Sequence, residues 1–454
     1  MSLKPEEISK LLKEQIRRYD DEMEVDETGT VITIGDGIGY IDRKIVFVPG
    51  ALPQEEVVVD LIRQTRSYYE GKLVKVIKPS KNRVVPRCKA YNDCQGCTLL
   101  HLNYYKQLTE KKEAIREAIR KYTNYNLDET VFKDVIASPK QEGFITSVNL
   151  PIVEFKGKIT FGIYQRNSKY LTLMTKCFKQ HPLINETLVA LEGILTRNHC
   201  KIYNDKFKTG LRFIKIKLVD KKLQLVFITG RDGLNDEVVK EISKLTSVAS
   251  IYMSVNTSKH QEFDDAGYTK LYGLSRLEMV DNDKKYLVSI KSKLPENILA
   301  YNKQISCMKV MLEDSNKIIS LNCGIGLLEM ELDQEVIAID EKKYHIEDAK
   351  INNKRKENVT FVAGSIDNKI VVYAKKKIYD TLVIQNERFG LSETIKNSIK
   401  IAKIKTIVYS CQSYSTLAKD LADLENSYRL EKIVAIDSSC HNSYLTTIVK
   451  LVRK

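Results

Sequence analysis

Three cysteines stand at C-x5-C-x2-C spacing, Cys88, Cys94 and Cys97, and a fourth, Cys177, follows about eighty residues later. Nine cysteines in a chain of 454 residues, an odd number, make a poor disulfide framework. Thiolates grouped this closely suit an iron–sulfur cluster. Zinc, or a chance grouping of buried thiols, are the other readings the spacing allows. Cys411 has a different setting. It ends the apolar run Ile407-Val-Tyr-Ser and enters a segment with helical character. A helix N-terminus there would depress its pKa and make it a nucleophile, although a lone cysteine is more commonly a small buried hydrophobe.

A third constellation suits a nucleoside. Ile318-Ile-Ser-Leu-Asn runs into Cys323-Gly-Ile-Gly326, and the apolar run Val336-Ile-Ala-Ile ends on Asp340. Gly324 and Gly326 at a strand's end let the backbone approach a cofactor, and an acid closing the next strand suits the two ribose hydroxyls. A tight structural turn explains the same glycines.

These residues need elements to hold them. From about residue 296, β-rich runs alternate with helical patterns, the signature of a doubly wound α/β domain. Residues 131–290 mix strands with short helices, and a basic helix runs through Arg120. Residues 29–78 alternate apolar and polar side chains between Gly and Pro breaks, as in a small β-barrel. Residues 5–19 repeat Ile8, Leu11, Leu12, Ile16 and Tyr19 at helical spacing, ahead of an acidic stretch. The expected organisation is an N-terminal extension (1–28), a barrel (29–80), a central α+β domain with the cysteines (81–290) and a Rossmann-like domain (291–454).

The net charge is +14, yet the first forty residues carry five basic and ten acidic side chains, which leaves +19 on the rest. A basic body is the electrostatic footprint of a nucleic-acid partner, and Arg63, Arg66 and Lys72 interleaved with Tyr68 and Tyr69 suit RNA. No apolar run of about 18 residues and no secretory h-region occurs, which argues against a membrane span or export. Unpaired thiols in a long chain add the expectation of a reducing, cytoplasmic setting.

Three resemblances sharpen this. Residues 1–40 resemble the N-terminus of the ATP synthase α subunit, but no phosphate loop follows. Ile41 to Glu55 resembles the TRAM domain, an OB-like RNA-binding barrel. From residue 29 onward the chain resembles the RNA (uracil-5-)-methyltransferase family, in the branch that has a TRAM domain and a [4Fe–4S] cluster and modifies 23S ribosomal RNA. The segment Cys88 to Lys112, with its Tyr-x-x-Gln-Leu-x-x-Lys-Lys, carries much of that likeness.

The family resemblance implies that Cys88, Cys94, Cys97 and Cys177 hold the cluster. It places Asn302, Gly324, Gly326 and Asp340 at S-adenosylmethionine, and Cys411 as the nucleophile that adds to C6 of a flipped-out uracil. RNA is the implied partner, 23S rRNA ahead of tRNA. The family's Asp-Pro-Pro-Arg-x-Gly-Leu reads Gln385-Asn-Glu-Arg388-Phe-Gly390-Leu391 here, so Gln385 and Arg388 occupy the uracil-binding segment. Its glutamate base is Thr446, and its cofactor-contacting glutamine is Ala300. Losing a general base costs about 10²–10⁴-fold in rate. Two functions therefore compete: a divergent uridine C5 methyltransferase, or an inactive RNA-binding paralogue acting in ribosome assembly.

Overall fold

The computed structural model describes residues 26–30, 37–41, 44–94, 96–165, 171–174, 176–258, 267–281, 284–353 and 356–454. The helix expected at 5–19 lies outside them. The chain divides into two compact units. One comprises residues up to 91 with 96–110 and 441–443; the other comprises 92–95, 111–440 and 444–454.

In the first unit, the alternation of residues 29–78 becomes five strands: β1 (Asp26–Thr30), β2 (Ile38–Ile41), β3 (Lys44–Phe47), β4 (Glu56–Gln64) and β5 (Tyr68–Lys78). Their order is β1-β4-β5-β3-β2. Val46, Val48, Ala51, Val57 and Val59 form the core. Glu55 is fully buried beside it. Burial alone would raise its carboxyl, but a two-pronged Arg83 pair at 2.6 Å and the N–H groups of Ser80 and Leu52 outweigh burial and hold it low.

The second unit has two seven-stranded sheets and a hairpin. The first sheet comprises β6 (Ser147–Phe155), β7 (Lys158–Tyr164), β8 (Leu171–Leu173), β9 (Leu211–Val219), β10 (Lys222–Thr229), β11 (Val248–Val255) and β12 (Thr269–Gly273), ordered β12-β11-β10-β9-β6-β7-β8. The hairpin is β13 (Arg276–Asp281) with β14 (Lys284–Ser289).

The second sheet comprises β15 (Lys317–Leu321), β16 (Glu335–Asp340), β17 (Val359–Ala363), β18 (Thr381–Asn386), β19 (Thr406–Cys411), β20 (Tyr428–Ile436) and β21 (Thr446–Arg453). Its order is β17-β16-β15-β18-β19-β21-β20. Strands β15 to β19 pair in parallel, and the central β15, β18 and β19 are buried on both faces, which is why they read as continuous apolar runs. Five helices belong to this part: α1 (Ile298–Met311), α2 (Lys343–Asn352), α3 (Ile366–Ala374), α4 (Glu393–Ala402) and α5 (Tyr414–Leu424). This is the doubly wound arrangement the sequence predicts. The order reverses between β15 and β18, and crevices for ligands open at such switch points. No helix among the described residues is long and apolar enough to cross a membrane.

Candidate active site

Four strand ends meet at the reversal. β15 ends on Leu321 and runs into Asn322, whose φ of 58° lies in the left-handed region. For a residue other than glycine that conformation is uncommon and is often found at functional sites. Asn322 Nδ2 donates to Asn386 Oδ1 at 2.6 Å, which ties the end of β15 to the end of β18. In the β18–β19 register Gln385 lies opposite Ser410 and Asn386 opposite Cys411.

The two glycines of the β15 turn differ in role. Gly324 has φ +56°, and a Cβ there would meet nothing within 4 Å. Its backbone faces open space, as a cradle for a cofactor requires. Gly326 has φ +81°, and a Cβ there would strike Phe361 Cζ at 2.5 Å, so packing already demands glycine. Asp340 is buried at the end of β16. Its Oδ2 accepts from Gly324 N–H at 2.9 Å; its Oδ1 accepts from Lys342 N–H at 2.8 Å and sits 3.0 Å from His345 Nδ1. A carboxylate has about four acceptor positions. Three are in use, which leaves one open. Asn302, on α1, donates from Nδ2 to Asp281 Oδ1 at 2.6 Å in the hairpin. One helical turn past Ala300, buried Gln304 reaches Ser410 Oγ at 3.3 Å.

Gln385 is held at both ends. Its Oε1 accepts from the Tyr301 hydroxyl at 3.0 Å, and its Nε2 donates to Glu329 Oε1 at 2.9 Å. Glu329 is fully buried and also accepts from Ser320 Oγ at 2.5 Å. Its Oε2 has no partner among the described residues. Burial, against the pull of those hydrogen bonds, pushes the Glu329 carboxyl up to about 7. Sequence reasoning assigned no role to Glu329 or Tyr301. The signal for Glu329 was a carboxylate inside the apolar run Leu327-Leu328-Glu329-Met330 directly after the glycines.

The expected depression of Cys411 is corrected. Cys411 is fully buried, and burial pushes its thiol above the ordinary value. The Ser413 N–H, 3.4 Å from Sγ, pulls the other way and does not compensate. A helix N-terminus favours a thiolate only weakly when water is excluded from it. The loop after β18 lies over this thiol: Glu387 O accepts from Gln412 N–H at 2.7 Å and lies 3.8 Å from Cys411 Sγ. Leu391 N–H donates to buried Asp420, which also takes the Tyr409 hydroxyl at 2.9 Å and so anchors that loop on α5. Between these anchors Arg388 is exposed, with its guanidinium 4.0 Å from the Tyr444 ring centre. Thr446 is buried and donates from Oγ1 to Ser438 Oγ at 2.9 Å.

The four clustered-cysteine candidates are all part-exposed. Among the described residues no three of His, Cys, Asp or Glu are grouped closely enough to hold a metal ion. Cys88 and Cys97 fall in the first unit, and Cys94 and Cys177 in the second. Cys177 is fixed through its backbone, by two hydrogen bonds with the Asn185 amide at 3.1 and 3.0 Å. In the five-stranded sheet of the first unit, Tyr68 packs edge-on to Phe47, Lys44 sits 5.2 Å from the Tyr69 ring centre, and Arg63 pairs with Glu70.

Residues 22–74 match the model of the TRAM domain. That match claims part of the stretch set beside the ATP synthase α subunit. An uncharacterized RNA methyltransferase of Bacillus cereus is 30% identical over 460 residues, covering 96% of this chain and 99% of the relative. An uncharacterized RNA methyltransferase of Halalkalibacterium halodurans is 31% identical over 418 residues, covering 89% of this chain and 90% of the relative. The fold is similar to that of the Pyrococcus abyssi tRNA (uracil-54, C5)-methyltransferase crystallised with S-adenosyl-L-homocysteine, with a TM-score of 0.76 at 22% identity over 94% of this chain and 100% of the other.

Proposed function

This chain belongs to the family of TRAM-bearing RNA methyltransferases, and from that premise we propose that it methylates C5 of a uridine in RNA with S-adenosylmethionine as donor. One observation carries the reading: Cys411 lies beside Asn386 in strand register, and Asn386 is bonded to Asn322 at the edge of the open Gly324 turn. A nucleophile and a nucleoside cradle thereby share one sheet edge. Gly324 and the remaining acceptor position of Asp340 would hold the cofactor, which supplies an electrophilic methyl group.

The residues divide the work as follows. Once the covering loop opens and the Cys411 thiol loses its proton to solvent, Sγ forms a bond to uracil C6, and the C5–C6 electron pair makes C5 nucleophilic. C5 would then take the methyl group as that group's bond to the donor sulfur breaks, leaving S-adenosylhomocysteine. The C5 proton must then leave so that the C5–C6 double bond re-forms and the Sγ–C6 bond breaks. With threonine at 446 that proton goes to water, which slows release by about 10²–10⁴-fold. A covalent RNA adduct at Cys411 should therefore accumulate with ordinary uridine.

The target class we propose is 23S ribosomal RNA. The support is the TRAM match and the likeness of Cys88 to Lys112 to that branch. A [4Fe–4S] cluster on Cys88, Cys94, Cys97 and Cys177 is part of the same proposal and rests on their spacing and on the resemblance to that branch. No catalytic step passes through it. Anaerobic protein with broad visible absorption and bound iron and sulfide would support the cluster, and a colourless protein would remove it.

A second reading has its own support. Gln385 is tied at both ends, Thr446 is bonded to Ser438, and the Cys411 thiol is raised. These suit a chain that holds RNA without modifying it. Incubation with methyl-labelled S-adenosylmethionine and separate 23S rRNA and tRNA pools decides between them. Label in 23S rRNA supports the proposal, and label confined to tRNA moves the target. No label, with RNA still bound, leaves the RNA-holding function.

A further inference from the structure

The second unit contains an open cavity of about 500 Å³ that the reaction does not use. Its lining includes Tyr252 and Tyr268 from the central sheet and its following loop, Arg276 and Lys291 at the ends of the hairpin, and Lys343 and Tyr344 at the start of α2. None of the strand-end residues Gly324, Asp340, Gln385 or Cys411 takes part. The volume lies within the range of small-molecule sites.

The chemistry of the lining is specific. Tyr268 is the centre: Lys215 Nζ donates to its hydroxyl at 2.9 Å, and the ammonium groups of Lys215 and Lys291 lie 5.7 and 5.5 Å from its ring centre. Tyr252 packs beside it, with ring centres 6.5 Å apart, and its hydroxyl is bound by the carbonyls of Leu274 and Ser275. The floor is rigid. Buried Lys217 donates to the carbonyls of Ser289, Ile290 and Ser292 at 2.6, 2.9 and 2.7 Å, and Arg276 is fixed by Asp348 at 2.7 Å. One acidic side chain, Glu347, joins three cations in the lining. Aromatic rings with cations placed over them match a planar base joined to a phosphate, the base displacing the flexible Lys291 ammonium from the ring and the phosphate taking it up, whereas a purely anionic ligand would have no use for the tyrosines.

We infer that this cavity binds a second nucleotide of the RNA substrate, a single-stranded residue stacked on Tyr268 with its phosphate at Lys291 and Lys343. The inference rests on the RNA-methyltransferase reading. Its consequence is selection: a substrate must present a target uridine at the strand ends and an unpaired nucleotide here. Specificity then depends on RNA shape as well as on the uracil.

The test is binding of a fluorescein-labelled, single-stranded, uridine-containing RNA to the full chain by anisotropy across a salt series. S-adenosylhomocysteine binding by calorimetry runs in parallel. Loss of one stacking partner weakens binding about tenfold, so Tyr268→Ala is expected to raise Kd by that factor. Lys291→Ala, at a part-exposed position, is expected to lower the slope of log K against log salt by about one. Both variants should bind S-adenosylhomocysteine as the parent does, which also reports that they are folded. RNA affinity and salt slope unchanged in both variants, with the parent binding RNA, overturn the nucleotide site and leave the methyltransferase reading standing. A parent chain that binds no RNA overturns both.

Discussion

The Gln385 amide donates at 2.9 Å to the buried carboxyl of Glu329, five residues past Gly324 in the chain. The family aspartate, if placed at 385, would set two carboxyl groups against each other there. The amide and the buried glutamate therefore fit as a pair, and Tyr301 closes the far side of the amide. The replacement at 385 is thus supported by its surroundings and is no isolated loss. It also means that the hydrogen bonds of the amide at this strand end are already directed inward.

Exchange at this pair should show coupling. Gln385→Asp removes the donor and faces Glu329 with a like charge at pH 8, a loss of about 2–4 kcal/mol. Glu329→Gln in the same chain should recover part of it. Thermal melting of the two single variants and the double variant checks this; strictly additive losses would contradict it.

Glu329 also gives stability a pH dependence of definite sign. Its folded pKa is raised from 4.5 to about 7. Between those values the folded chain holds a proton that the unfolded chain releases. The contribution is complete below about pH 4.5 and is lost as pH rises through 7, by about 3 kcal/mol in total. Melting curves from pH 5 to 8 should therefore fall for the parent more steeply than for Glu329→Gln. Parallel curves would show that Glu329 is not the titrating group.

The raised thiol predicts how Cys411 reacts. Its alkylation by iodoacetamide, followed by mass spectrometry of its own peptide, should be slow at pH 7 and climb above pH 9. Urea at levels that loosen the loop should speed it at neutral pH. RNA containing 5-fluorouridine should form an adduct that Cys411→Ala does not form. Rapid alkylation at pH 7 would instead reveal an accessible, low-pKa thiol.

A buried ion pair braces the segment that carries Ser438 and Tyr444. Lys111 Nζ lies 2.6 Å from Asp437 Oδ1, and both side chains are almost wholly buried. Lys111→Met leaves the aspartate buried without its cation, at a cost of about 3–5 kcal/mol. A large fall in melting temperature is expected, and a shift under two degrees would be incompatible with it.

The sequence alone determined the parts whose signal is local. Apolar runs closed by G-x-G and by Asp340 marked strand ends, and their alternation with helices marked a doubly wound sheet, because parallel strands buried on both faces need unbroken apolar sequence. Cys411 at a strand end was legible for the same reason. The state of its thiol was not, because pKa follows burial, and burial is set by the loop 386–391 folding over it. Gln385 was legible as a departure from a motif. Its partners Tyr301 and Glu329, 84 and 56 residues away, became neighbours only when α1 and the β15 turn packed on β18. Tertiary structure decided these points because the pairing energy of a buried polar group depends on what long-range packing brings to it.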